Sequence, residues 1–171
     1  IGAMAYGTAT IPKVYKIFGP GNQYVTAAKQ LVQQDGLAID MPAGPSEVCV
    51  LADQTANASF IAADLLSQAE HGIDSQVLLV TTSSALVQEV LSKIQSQLEL
   101  LPRKDIAAKA LENSRAIVFT SMEEAMRLVN AYAAEHLIIA SDEAEKWGRE
   151  VTNAGSVFLG HYTPESVGDY A

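Results

Sequence analysis

The chain has 171 residues, 49% apolar and 18% charged, the composition of a folded domain with enough apolar residues for a sizeable core. Twenty acidic against 11 basic residues leave a net charge of −9, which argues against gripping a nucleic-acid backbone, and the lysines and arginines are scattered rather than patched. A single cysteine, Cys49, excludes an internal disulfide framework and a multi-cysteine zinc site, and suits a cytoplasmic location. No apolar run reaches the ~18 residues of a membrane span, no signal-peptide pattern is present, and the glycosylation triplet Asn57-Ala58-Ser59 stands without other signs of secretion.

Ile1 to Gly7 reads as the last turns of a helix. Val14 to Phe18, β-branched and aromatic after Pro12, predicts a strand. Gly19-Pro20-Gly21-Asn22 breaks it, and a helix follows from Tyr24 to Gln34 with apolar residues at helical spacing. Leu37 to Asp40 is a brief strand, and Met41 to Glu47 a Pro/Gly turn segment where two lobes can meet. Beyond it the rhythm is regular. Strands are expected at Val48–Ala52, Gln76–Thr81, Ala116–Thr120, His136–Ala140 and Ser156–Gly160. Helices are expected at Asn57–Glu70, from Ser83-Ser84 to Leu98, at Asp105–Glu112, from Ser121 with a capping-box pattern, and at Asp142–Thr152.

Strands that are continuous apolar runs alternating with helices predict an α/β fold, a Rossmann-like parallel sheet with helices on both faces. The division expected is residues 1–46 as the end of one lobe and 47–171 as part of a second. Since the chain opens on Ile1 and closes at Ala171 with no final element, we read the fold as incomplete, an internal piece of a longer protein.

Ligands of open parallel sheets bind beyond the carboxyl ends of the strands, and several polar clusters here fall at strand ends or in turns. Gln68 and His71 stand three apart at a helix end, on one helical face, and Gly72 reads as the C-cap glycine. An amide oxygen beside an imidazole is half of a metal or substrate site; a solvated pair at a helix end is the plainer alternative. Gly19-Pro20-Gly21-Asn22, between a strand and a helix, offers amides to an anion such as a cofactor pyrophosphate, although it is not GxGxxG. Glu135 and His136 precede an apolar strand and can serve as acid and base; neighbours on an extended chain point oppositely, so they read as two agents rather than one dyad. Asp169, past the last strand, can complete a site with Gln68 and His71. Ser46-Glu47 can hydrogen-bond a small polar substrate or cap a turn. Cys49 lies mid-strand between Val48 and Val50 with no adjacent charge to activate it, which favours a buried structural cysteine over a nucleophile.

Taken together, Phe18-Gly19-Pro20-Gly21-Asn22, Asp40 to Glu47, Ser67-Gln68-Ala69-Glu70-His71-Gly72, Glu135-His136-Leu137, Gly155 to Gly160 and Pro164 to Ala171 resemble histidinol dehydrogenase, along the whole length and in the family's order. The resemblance implies a zinc-dependent homodimer that uses two NAD to oxidise L-histidinol through L-histidinal to L-histidine, the last steps of histidine biosynthesis. It implies Gln68, His71 and Asp169 as three zinc ligands and Glu135 and His136 as the catalytic acid/base residues. Ser46, the zinc ligands and His136 match substrate-contacting positions, and Asn22 a cofactor contact. The family's fourth zinc ligand, a histidine, and a further substrate-binding glutamate have no counterpart here, so the resemblance also implies an isolated chain with little zinc affinity and no activity. Two other classes stay open: a different NAD-dependent dehydrogenase working through Cys49, and a non-catalytic binding module.

Overall fold

The computed structural model describes residues 1–19, 21–40 and 46–169, the side chain of Asp169 excepted. These residues fall into two compact units, Ile1–Gly44 and Pro45–Ala171. Most of the Pro/Gly turn expected over Met41 to Glu47 lies outside the described residues. Among the described residues no helix is long and apolar enough to cross a membrane.

The first unit holds α1 (Gly2–Tyr6), β1 (Lys16–Ile17), α2 (Gln23–Gln34) and β2 (Ala38–Ile39). The two strands pair in parallel with Ile17 opposite Ile39, and Ala5, Ile17, Val32 and Leu37 form its apolar cluster. The first strand is shorter than Val14–Phe18. Val14 N–H is spent on Met4 O at 2.9 Å, which ties the chain to α1 instead of the ladder, and Tyr15 and Phe18 stand exposed. A buried lysine organises the other end. Lys29 bonds Gly19 O at 2.5 Å and pairs with Asp40, whose second oxygen accepts Gly19 N–H at 2.8 Å.

The second unit carries β3 (Glu47–Ala52), α3 (Ala58–Ala69), β4 (Gln76–Thr81), α4 (Ser84–Leu98), α5 (Lys104–Glu112), β5 (Arg115–Val118), α6 (Met122–Tyr132), β6 (His136–Ala140), α7 (Ala144–Gly148), β7 (Ser156–Leu159) and a 3₁₀ turn, Glu165–Asp169. All of its pairings are parallel, in the order β5-β4-β3-β6-β7, so the order reverses between β3 and β6. Strand residues of even parity in β3 and β6, such as Val48, Val50, Ile138 and Ala140, pack against α3, α4 and α5. Odd residues such as Cys49, Leu51, Leu137 and Ile139 pack against α6 and α7. This is the three-layer arrangement that continuous apolar strands require, since both faces of the sheet are covered.

The helix starts follow their caps. Asn57, Ser83 and Ser121 each accept N–H groups of the first turn. In the expected capping box only the Ser121 half is made as written; the Glu124 carboxylate takes the Thr120 hydroxyl at 2.6 Å. α7 is much shorter than Asp142–Thr152. Asn130 on α6 accepts the Thr152 N–H at 2.7 Å and pulls the chain off the helical path, while Gly148 packs so close to Leu159 that an added Cβ would lie 2.9 Å from it.

Candidate active site

Of the expected site residues, Ser46, Gln68, His71, Glu135 and His136 fall at the amino edge of the five-stranded sheet, the opposite edge from the one anticipated. The reason is topological. α3 leaves the carboxyl end of β3 and runs back, so its last turn, with Gln68, arrives where β4 begins. Ser46 immediately precedes β3, and His136 opens β6 opposite Val48. Strand alternation sends Ser46, two before Val48, and His136, two before Ile138, to the sheet face that α3 covers. At the carboxyl edge, where the strand order reverses, several polar groups pair with each other, although His161 Nδ1 is buried without a hydrogen-bond partner among the described residues. Asp53 accepts the hydroxyls of Thr55 and Ser141, both at 2.5 Å, and His161 Nε2 lies 3.0 Å from Asp142.

Gln68 is wholly buried, while His71, just past the helix, is exposed. The Gln68 amide nitrogen donates to His71 Nδ1 at 3.2 Å, and its Oε1 is buried with no hydrogen-bond partner among the described residues. A buried carbonyl-type oxygen without a donor costs about 1–3 kcal/mol. It lacks what a cation would supply, and oxygen and imidazole nitrogen are both donors that zinc accepts. The pair therefore fits a metal, as half of a site. Among the described residues no three of His, Cys, Asp or Glu form a metal-binding group.

Gly72 is not the helix C-cap. Glu70 occupies that position in right-handed conformation, its N–H bonding Leu66 O and Gln68 O, and His71 N–H also turns back to Gln68 O at 3.1 Å. The glycine serves closeness instead: a Cβ there would stand 2.6 Å from the Asp74 carboxylate.

His136 is half-buried, and its Nδ1 is buried without a hydrogen bond among the described residues; Glu165 Oε1 stands 3.8 Å away. The Phe158 ring, 6.1 Å off, supports the imidazole from β7. Glu165 itself is buried at 6% exposure, and its other oxygen accepts the Ser67 hydroxyl at 3.3 Å. One carboxylate thus joins the end of α3, beside Gln68, to the start of β6. Its backbone N–H bonds the Asp64 carboxylate, whose pKa burial pushes up to about 6 against that bond, with the Glu165 charge adding to the rise. Sequence reasoning passed over Ser67, Asp64 and Glu165. Their only signals were adjacency to Gln68 and a place in the closing motif, and nothing local says that Glu165 is buried.

Glu135 is exposed. Its carbonyl accepts Ser156 N–H at 2.8 Å, and Gly155 passes so close that a Cβ would lie 2.5 Å from that oxygen. Glu135 and His136 are thus separate groups rather than a bonded dyad. Ser46 is half-buried, with its carbonyl on Gln76 N–H at 3.3 Å. Asp169 closes the 3₁₀ turn begun by Glu165, and its side chain lies outside the description. Asn22, in the first unit, caps α2 by accepting Tyr24 and Val25 N–H at 3.1 and 3.2 Å. Its NH₂ group remains a donor of the kind that meets ribose or phosphate oxygens. Cys49 is fully buried on the opposite sheet face, and desolvation pushes its thiol up to about 12. That is an inert core thiol.

The family model described as histidinol dehydrogenase matches residues 1–171. The chain is 64% identical to the histidinol dehydrogenase of Bacteroides thetaiotaomicron over 171 residues, all of this chain and 40% of that relative. It is 62% identical to that of Shewanella oneidensis over 178 residues, with the same coverage. The crystal structure of histidinol dehydrogenase from Elizabethkingia anophelis matches with 60% identity and a TM-score of 0.95, over 98% of this chain and 39% of that one. The chain spans about 40% of the length of the curated relatives it matches. With a family match over every residue and identities above 60%, the chain belongs to the histidinol dehydrogenase family.

Proposed function

We propose that this chain supplies the core of a zinc- and NAD-dependent histidinol dehydrogenase, which oxidises L-histidinol through L-histidinal to L-histidine. The observation that supports it best is the amino-edge cluster. Gln68 Oε1, without a hydrogen-bond partner among the described residues, stands beside His71. Glu165 reaches both Ser67, next to Gln68, and the neighbourhood of His136, which supports reading this end of α3 as metal donors near a base. In this reading the first unit carries part of the cofactor site, with Asn22 as a contact, and the second carries the metal and catalytic residues. A homodimer in the cytoplasm completes the proposal.

Zinc, if bound, would supply a Lewis-acid anchor for the substrate, and NAD would supply the hydride acceptor for each oxidation. Gln68, His71 and Asp169 would hold the metal. Ser46, on the α3 face beside β6, offers a hydroxyl to orient the polar substrate. His136 takes the alcohol proton on a ring nitrogen as the carbinol carbon is oxidised. Glu135, exposed to solvent, draws a proton from the water that hydrates the aldehyde. Hydration removes the need for a thiohemiacetal, consistent with a buried Cys49.

The test splices residues 1–171 in place of the matching segment of the B. thetaiotaomicron enzyme and follows NADH formation from histidinol. Activity that falls ~100-fold or more with His136→Ala is expected from loss of a general base; an unchanged rate would overturn the assignment. The isolated 171-residue chain should be inactive.

A further inference from the structure

Glu165 is absent from the roles proposed above, yet it has the environment of a functional carboxylate. It is buried, and one oxygen receives the Ser67 hydroxyl at 3.3 Å while the other faces His136 Nδ1 at 3.8 Å. Asp64, the neighbouring acid, accepts the Glu165 backbone N–H and so adds negative character rather than relieving it. Among the described residues His136 Nδ1 is buried without a hydrogen-bond partner, and the Glu165 carboxylate oxygen not used by Ser67 faces it. Closing less than 1 Å of distance would turn the contact into a charge-assisted hydrogen bond, and bonds of this kind are often long until substrate binds.

We propose that Glu165 is a positioning residue for His136. It holds the proton on Nδ1, leaves Nε2 bare as the nitrogen that takes the alcohol proton, and anchors the ring to the end of α3 through Ser67. Among the described residues Glu165, bonded to Ser67 and by its backbone to Asp64, and the Phe158 ring from β7 stand against the imidazole. The proposal deepens the histidinol reading and rests on His136 being the base there. The Glu165–His136 relation is nevertheless measurable without activity.

The ¹⁵N pattern of the imidazoles distinguishes the two neutral tautomers, and the chain has three histidines to assign. In the 171-residue chain at alkaline pH, His136 should carry its proton on Nδ1, the form less favoured in free histidine. Glu165→Ala should return it to Nε2, while Glu165→Gln, whose amide oxygen can still accept, keeps it largely on Nδ1. A wild-type ring protonated on Nε2 would overturn the proposal even if Glu165→Ala fails to fold; so would a tautomer unmoved in a folded Glu165→Ala. In the spliced full-length enzyme, Glu165→Gln should lower kcat about tenfold or more with KM nearly unchanged, because charge support for the protonated ring is lost. An unchanged kcat alongside an inactive His136→Ala would sink this proposal alone. An active His136→Ala would sink the histidinol assignment and leave the tautomer result to judge Glu165.

Discussion

Gln68 Nε2 lies 3.2 Å from His71 Nδ1, the amide wholly buried and the imidazole open to solvent. The bond satisfies one end of the amide and leaves Oε1 buried without a hydrogen-bond partner among the described residues. In the proposed reading this arrangement costs stability in exchange for a metal ligand, so replacing the amide should act oppositely on stability and on metal affinity. Gln68→Met, close in length and apolar, should leave the metal-free fold equal or up to ~1 kcal/mol more stable, because the unsatisfied oxygen is gone. Thermal melts with chelator present test this, and a loss of several kcal/mol would show that the amide is structural.

Gly155 predicts the reverse balance. A Cβ there would stand 2.5 Å from the Glu135 carbonyl oxygen, a backbone atom held by Ser156 N–H, so no side chain can yield to it. Gly155→Ala should cost about 1–3 kcal/mol, the usual penalty of overpacking. A drop in urea midpoint at unchanged slope would report it.

Asp64 makes stability depend on pH. Its folded pKa of about 6 lies above the ordinary aspartate value of 3.8, so the folded chain binds the proton more tightly than the unfolded one. The folded state is penalised fully above pH ~6, and the penalty vanishes as pH falls below ~4. Asp64→Asn should therefore stabilise the chain near pH 7–8 and lose its advantage near pH 4. A shift of two units is about 3 kcal/mol at most, and about 1 kcal/mol is expected for a carboxyl still partly screened by water. Urea titrations at the two pH values check the sign.

Cys49 should behave as core. With its thiol pushed up to about 12, native protein at pH ~8 should resist iodoacetamide and label only after denaturation, as read by mass spectrometry. Rapid labelling of the native chain would reopen the thiol-dependent dehydrogenase.

The alternating fold was legible because Val48 to Ala52, Val77 to Val80 and Leu137 to Ala140 are apolar without a break, which only a two-sided parallel sheet explains. Gln68, His71 and His136 were legible as polar groups at element ends. Their edge of the sheet was not, because the carboxyl-end rule describes where ligands usually sit, and a return helix brings its C-terminus to the other side. α7 was overextended because Asn130, some twenty residues away in sequence, interrupts it. Glu165 was missed for a similar reason: its burial depends on Ser67 and His136, 98 and 29 positions away, and no local pattern records that.

The most direct test of the account is a competitive zinc titration of the spliced full-length enzyme, wild type against His71→Ala. Loss of a ligand should weaken zinc at least as much as loss of an outer-shell partner does, about 10–100-fold. Equal affinity in the two proteins would contradict the metal site at the end of α3, and with it the centre of the proposed mechanism.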